Sequence, residues 1–233
     1  MVSTLKRVWN DVLDLFYPNP CCACATPLVG NEEVICTQCR LSLPRTNSHL
    51  LETPLLTDKF RGKVSIKAVF TFLKFEKRSK VQRILHHLKY NNRPDVGQTL
   101  GRLYGQELRA ARVHEHLDLL LPVPLHSRKL AQRGYNQSDA IAEGLSESLN
   151  VAWSASLLKR TQFTSTQTRK TRMERFENVS GIFEVADSSK IKGKRIGIVD
   201  DVVTTGSTLE SAIIELLQNG AEEVSVITLA AAY

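Results

Sequence analysis

The segment from residue 194 to residue 217 restricts the possible folds more than any other part of the chain. It begins with an apolar stretch, Lys194–Val199, which predicts a buried strand. Two acids and a turn of small hydroxyl residues follow, and Ser207–Leu217 then shows the apolar spacing of a helix. A buried strand that passes through a short turn into a helix is the repeating unit of a parallel α/β sheet.

The same succession of strands and helices recurs through most of the chain. Further strands are predicted over residues 64–72, 117–123 and 224–230, and further helices over residues 77–90, 96–113 and 138–149. We therefore expect an α/β fold built on a doubly wound parallel sheet. In such a sheet, ligands bind in the crevice beyond the carboxyl ends of the strands.

The turn after strand 194–199 has the chemistry of a phosphate site. Glycine lets the backbone approach an anion, and the free N–H groups that open the next helix can bind it. Asp200 and Asp201 would repel a phosphate beside them, so hydroxyl groups or a divalent cation further along the ligand suit them better. A ribose 5-phosphate carries both ends, and its phosphate ligands would be Thr204, Thr205, Gly206, Ser207 and Thr208. The alternative is a solvated loop in which Ser207 is only a helix N-cap.

A second cationic loop follows the predicted strand 117–123. Arg128 and Arg133 could bind the oxygens of a pyrophosphate in bidentate fashion, just beyond the carboxyl end of a central strand. The alternative is a helix end with solvated arginines. His126 in this loop is interpreted as a structural residue, so no catalytic residue is assigned.

The segment Lys159–Arg175 is basic, rich in hydroxyl groups and poor in apolar residues. This composition fits a lid that closes over a polyanionic ligand and excludes water. A solvated linker is the alternative. The formal charge of +7 also favours polyanionic partners, although many basic proteins have none.

All five cysteines lie between positions 21 and 39. Two Cys-x-x-Cys pairs have the spacing of a tetrahedral zinc site, formed by Cys21, Cys24, Cys36 and Cys39. Four thiolates leave no open coordination position, so the zinc would be structural, with a redox pair as the alternative. Cys22 is the spare thiol.

These patterns divide the chain into three parts. Residues 1–44 form an amphipathic helix and a zinc-ribbon-like module, residues 45–62 a linker, and residues 63–233 the α/β domain. The apolar spacing near the amino terminus is that of a helix and not of a signal peptide, and no apolar run is long enough to span a membrane.

The strand, the two acids and the Thr-Thr-Gly-Ser-Thr turn resemble the signature of type I phosphoribosyltransferases. The resemblance implies that Asp200 and Asp201 hold the ribose 2′- and 3′-hydroxyls. It also implies that residues 204–208 hold the 5′-phosphate of phosphoribosyl pyrophosphate (PRPP), with Mg²⁺ as the cofactor.

The order of motifs along nearly the whole chain resembles the ComF family. Its motifs are the four-cysteine module, Pro122-Val-Pro-Leu-His, Arg133-Gly-Tyr-Asn-Gln, Asn178-Val-Ser-Gly-Ile-Phe183 and the turn after Asp200. This bacterial family, also called GntX-like or competence protein F-like, is associated with natural transformation and the use of external DNA. The resemblance implies a cytoplasmic protein, or one peripheral to the inner membrane, that handles incoming single-stranded DNA with the uptake machinery.

Two functions remain open from the sequence. The first is a PRPP-binding protein that serves DNA uptake, in which aromatic residues near cations could stack on bases; the candidates are Tyr90, Tyr135, Phe163 and Phe176. The second is an active Mg²⁺-dependent phosphoribosyltransferase of nucleotide metabolism or salvage. No acceptor pocket is evident in the sequence.

Overall fold

Four parallel strands form the main sheet of the molecule. In the computed structural model of the chain, residues 19–51, 54–161 and 182–232 are described. The strands are β1 (Val69–Phe75), β2 (Leu119–Pro122), β5 (Arg195–Val203) and β6 (Glu223–Ala232), in the order β1-β6-β5-β2. A parallel α/β sheet is therefore confirmed.

Seven α-helices and a short antiparallel pair of strands complete the described fold. The helices are α1 (Thr37–Ser42), α2 (Pro54–Thr57), α3 (Lys80–Tyr90), α4 (Pro94–Ala110), α5 (Ser127–Arg133), α6 (Gln137–Leu149) and α7 (Ser207–Gln218). The pair consists of β3 (Leu158–Arg160) and β4 (Phe183–Val185). The sequence pattern does not predict α5, β3 or β4, because each is too short to show a periodic apolar face.

Apolar side chains cover both faces of the sheet. Ile198 and Val226 belong to a buried cluster with residues of α7, whereas Val199 and Ile227 belong to a second cluster with residues of α3, α4 and α6. Neighbouring strand residues point to opposite faces, so strands buried on both sides read as continuous apolar runs. The helices thus form two layers, one on each face of the sheet.

Helices α4 and α6 approach each other unusually closely. A Cβ atom at Gly144 would lie 2.1 Å from the carbonyl oxygen of Gln98, and one at Gly101 would lie 2.5 Å from that of Ile141. Any larger side chain at these positions would push the helices apart. Glycine therefore fixes the position of α6, whose first turn reaches the carboxyl end of the sheet.

Strand β2 lies at the edge of the four-stranded sheet. The sequence had suggested a central position for it. A short parallel bridge between Leu120 and Trp153 covers its outer edge. At the opposite edge, Arg45 pairs with Leu73 of β1 in an antiparallel bridge. Residues 45–62, for which a linker was predicted, also supply Phe60 to the core. Both sheet edges are covered, which limits pairing with other chains.

Two predicted features lie outside the described residues: the amphipathic helix before residue 19 and residues 162–175 of the basic lid, which was predicted over Lys159–Arg175. Lys159 and Arg160 belong instead to β3. Within the described ranges, no helix has both the length and the apolar character that crossing a membrane requires.

Candidate functional site

The two adjacent acids lie in the second half of β5. This strand extends to Val203, four residues beyond the predicted end, because its pairing with β6 continues through Asp200–Thr228 and Val202–Ala230. Apolarity marks only the buried part of a strand, so the sequence pattern ends at Val199. Both carboxylates are thereby held by a rigid element and not by a loop.

Asp200 is partly buried, and among the residues that the structure describes no cation forms an ion pair with its carboxylate. The Ser138 hydroxyl on α6 donates to its Oδ1 at 3.1 Å, and the backbone N–H of Asp201 donates to the same atom at 2.8 Å. Burial, together with the neighbouring charge of Asp201, raises the pKa of Asp200 to about 7. A ribose hydroxyl or a divalent cation would compensate the cost of ionising it.

Asp201 is buried and has a cation. The ammonium group of Lys89, the penultimate residue of α3, lies 3.0 Å from its Oδ2. The two acids therefore differ, because in the described part of the chain only Asp201 forms an ion pair, with Lys89.

The turn after β5 is shaped by Gly206. This residue has a φ of +82° and ends the turn as the N-cap of α7. A Cβ atom there would lie 3.2 Å from the Phe60 ring, so glycine is required both for the backbone angle and for the contact. The surrounding residues Thr204, Thr205, Ser207 and Thr208 are exposed and line a small cavity of about 50 Å³ together with Asp200. The cavity opens at the helix N-terminus, where backbone N–H groups are free to bind an anion.

Lys59 supports this turn from outside. Its ammonium group donates to the backbone oxygens of Thr204 at 2.7 Å and of Ala232 at 2.9 Å. The turn is thus tied to the end of β6 before any ligand binds.

The second predicted loop folds largely as helix α5. Arg133 lies in its last turn, and its Nη1 donates to Gln137 at 2.6 Å. Arg128, in the first turn, is exposed. Asn136 caps α6 and donates to the Val123 carbonyl at 3.1 Å, which ties the loop to the end of β2.

Lys89 and Ser138 were not predicted from the sequence as residues of this region, and Arg160 was predicted only as part of the basic lid. Arg160 on β3 lies close enough to Asp200 for their charges to interact. Each belongs to a different element, and only the fold brings them to the same acids. The one sequence signal for Lys89 is its place in a helix without acids.

The four predicted cysteine ligands form one cluster. The sulfur atoms of Cys21, Cys24, Cys36 and Cys39 all lie within 4.8 Å of one another, and those of Cys24 and Cys36 are 3.7 Å apart. Tetrahedral coordination with Zn–S bonds of about 2.3 Å requires sulfur separations of this size. The cluster can therefore hold a metal ion, while Cys22 is buried outside it.

Backbone N–H groups surround the cysteine sulfurs. Ala23 and Cys36 donate to the sulfur of Cys21 at 3.4 and 3.3 Å, and Cys39 donates to that of Cys36 at 3.4 Å. Such bonds stabilise thiolates. The module also has more apolar packing than its composition suggests, since Val34 and Leu43 are buried in the cluster that contains α3 and α4.

The sequence of this chain is similar to those of several known proteins. DNA utilization protein YhgH of Escherichia coli is 31% identical over 213 residues, which cover 88% of this chain and 87% of the relative. Competence protein F of Haemophilus influenzae is 34% identical over 153 residues, 64% of this chain and 67% of the relative. The phosphoribosyl transferase domain model matches residues 131–232. The chain belongs to the ComF family.

The matched domain of this ComF protein contains both acids and the whole Gly206 turn. It also contains Arg133, whereas Arg128 and Lys89 precede it. The cysteine cluster lies outside the domain model. The fold is thus a type I phosphoribosyltransferase sheet with an added four-cysteine module.

Solved structures of phosphoribosyltransferase folds also match this ComF chain. Glutamine PRPP amidotransferase from B. subtilis, complexed with ADP and GMP, is 23% identical with a TM-score of 0.44, over 61% of this chain and 30% of that one. Purine phosphoribosyltransferase from Pyrococcus horikoshii is 21% identical with a TM-score of 0.37, over 56% and 73%.

Proposed function

We propose that this ComF protein binds a phosphoribosyl ligand, PRPP, and serves the uptake or use of external DNA. The observation that carries the first part is the junction of β5 and α7. It joins two carboxylates, of which only Asp201 has an ion-pair partner among the described residues, to an exposed hydroxyl turn at a helix N-terminus. A ribose 5-phosphate has complementary groups at both ends.

Each part of the ligand has a proposed contact. Asp200 and Asp201 hold the ribose hydroxyls, and residues 204–208 hold the 5′-phosphate through backbone N–H and hydroxyl groups. Arg133 and Arg128 contact the pyrophosphate. Mg²⁺ usually binds one or two carboxylates together with substrate phosphates, and Asp200 suits it because none of the described cations forms an ion pair with that acid.

The role in DNA use rests on the family and on charge. YhgH is named a DNA utilization protein and its Haemophilus relative a competence protein. The formal charge of +7 favours a polyanion such as incoming single-stranded DNA. We place this action in the cytoplasm, including the inner surface of the membrane.

We further infer that the cysteine cluster holds structural zinc. The sulfur separations fit tetrahedral coordination, and the four thiols fill every position. Zinc would supply folding free energy to the module and no open site for chemistry.

A ligand-dependent shift in unfolding temperature tests the phosphoribosyl proposal. A ligand that binds only the folded state at about 100 times its Kd stabilises the protein by about 2.7 kcal/mol. We expect PRPP with Mg²⁺ to stabilise the wild type and not the Asp200→Asn/Asp201→Asn variant, while DNA binding persists in both. Equal stabilisation of both proteins would show that the site assignment is wrong. Release of pyrophosphate with an added acceptor base would favour the enzyme.

A further inference from the structure

Tyr90, the last residue of α3, is an exposed aromatic residue beside the proposed phosphoribosyl site. It is 62% exposed, although it follows Lys89, which bonds to Asp201. The His86 ring lies one helical turn before it, with 4.9 Å between the ring centroids. The Arg133 guanidinium carbon lies 5.4 Å from the Tyr90 centroid. The ring is therefore held from two sides and still faces solvent.

The two chain segments around Tyr90 carry cations and no acids. Neither residues 77–92 nor residues 123–138 contain an Asp or Glu. Their Lys and Arg residues are Lys77, Arg78, Lys80, Arg83, Lys89, Arg128, Lys129 and Arg133. Lys89 is neutralised by Asp201, but Arg83, Arg128 and Lys129 are exposed. A single-sign surface of this kind attracts a phosphate backbone.

Two contacts join these segments into one surface. The Tyr135 hydroxyl donates to the Leu88 carbonyl, and Gly134 lies against the side chain of Asn92. Both α3 and α5 begin just after the carboxyl end of a strand, β1 and β2 respectively. Lys89, the neighbour of Tyr90, pairs with Asp201, so the surface lies at the same edge of the sheet as the two acids.

An exposed aromatic ring in a cationic surface is how proteins bind single strands without sequence preference. Bases stack on the ring, cations follow the backbone, and an arginine next to the ring adds a cation–π contribution. Double-stranded DNA keeps its bases stacked and cannot use such a ring.

We propose that Tyr90, flanked by His86 and Arg133, is a platform on which one base of single-stranded DNA stacks, while the phosphates of the strand contact Arg83 and Lys129. The proposal rests on the proposed function for the identity of the strand, and it assigns the strand a defined surface. Because Arg133 borders both regions, the strand would pass directly beside the phosphoribosyl site.

Fluorescence anisotropy with a labelled oligo(dT) strand tests the platform in the full-length protein. Tyr90→Ala should weaken binding by about tenfold, the usual effect of losing one stacked base. Tyr90→Phe and Tyr90→Trp should retain it, since both keep an aromatic face. Calorimetry with PRPP and Mg²⁺ should give wild-type affinity for Tyr90→Ala, which also shows that the variant is folded.

Salt dependence tests the phosphate contacts. Arg83→Ala should reduce the slope of log affinity against log salt by about 0.7, the value for one lost contact to a single strand. The matched control is Arg112→Ala, an exposed arginine before β2 and thus at the opposite end of the sheet. It should leave the slope unchanged.

Three results would overturn the platform. One is wild-type oligonucleotide affinity in Tyr90→Ala, and another is equal loss in Tyr90→Phe. The third is a Tyr90 dependence found for free nucleobases or mononucleotides but not for the strand. Loss of PRPP binding in the Asp200→Asn/Asp201→Asn variant with no Tyr90 effect on DNA would reject the platform alone. Absent PRPP binding with a clear Tyr90 effect would reject the phosphoribosyl proposal alone.

Discussion

The cysteine cluster and the carboxyl end of the sheet are assembled in different ways. The four cysteines come from nineteen consecutive residues, 21–39, and backbone N–H groups of the same segment surround their sulfurs. The acids at the sheet meet Lys89, Ser138 and Arg160, which come from three separate elements. With the proposed zinc bound, the geometry of the cluster depends on a single ion, whereas that of the sheet site depends on the whole fold.

The largest expected effect is on the cluster. Cys39→Ser should abolish zinc binding and lower the unfolding temperature by more than about 10 °C, because structural zinc contributes about 10–16 kcal/mol in isolated modules. Metal analysis and thermal unfolding measure both. Cys22→Ala is the matched control, since Cys22 is equally buried but outside the cluster, and it should keep one zinc ion. A full zinc complement in Cys39→Ser would contradict the assignment.

The next largest effect concerns pH and Asp200. The pKa of this acid is raised to about 7 in the folded state, so between pH 4 and pH 7 the folded protein binds the proton more tightly than the unfolded chain. Its contribution to stability is therefore lost as pH rises through this range. Asp200→Asn should stabilise the protein by about 1–4 kcal/mol at pH 8 and by little at pH 4.

Denaturant unfolding at the two pH values measures this difference. Asp187→Asn, at an exposed turn before β5, serves as the control and should not gain stability with pH. A gain of the same size at both pH values would mean that Asp200 is ionised in the usual range.

A smaller effect is expected at Gly206. Alanine there should cost about 1–2 kcal/mol for the left-handed backbone and should also disturb the Phe60 contact and the phosphate turn. Gly193→Ala is a matched control, because Gly193 has a φ of +67° with no atom near its Cβ position. Both variants should lose stability, but only Gly206→Ala should lose PRPP affinity. Calorimetry would contradict this if both variants bound PRPP equally.

The smallest effect is expected at Lys89. Lys89→Ala should cost about 1 kcal/mol or slightly more, because it leaves the buried carboxylate of Asp201 without its cation. Lys67→Ala breaks an ion pair of 2.9 Å with Glu223 that is largely exposed, and it should cost less than about 0.5 kcal/mol. If both variants lose the same unfolding free energy in denaturant, the burial of Asp201 does not strengthen its ion pair with Lys89.

The contrast between the two regions also explains what the sequence could predict. The four cysteines and the turn at Gly206 are contiguous motifs, so their spacing alone indicates their geometry. Lys89, Ser138 and Arg160 are ordinary residues of three different elements, and no local pattern brings them to the acids. Tyr90 was one of four aromatic candidates, of which Phe163 and Phe176 lie outside the described residues. Of the other two, Tyr90 is the more exposed, and it lies beside Arg133.

The fold shows the same limit. Long elements with a periodic apolar face, such as α4 and β6, were predicted within three residues of their ends. The order of strands in the sheet was not predictable, because β2 reads as a buried run whether it is central or bridged at its edge by Trp153.

Titration calorimetry with PRPP and Mg²⁺ tests the central claim most directly. The wild type, the Asp200→Asn/Asp201→Asn variant and the Asp187→Asn control should be compared in their folded, metal-loaded forms. We predict micromolar binding for the wild type and the control, and at least tenfold weaker binding for the double variant. No heat of binding in the wild type, or equal affinity in all three, would contradict a phosphoribosyl site at Asp200 and Asp201.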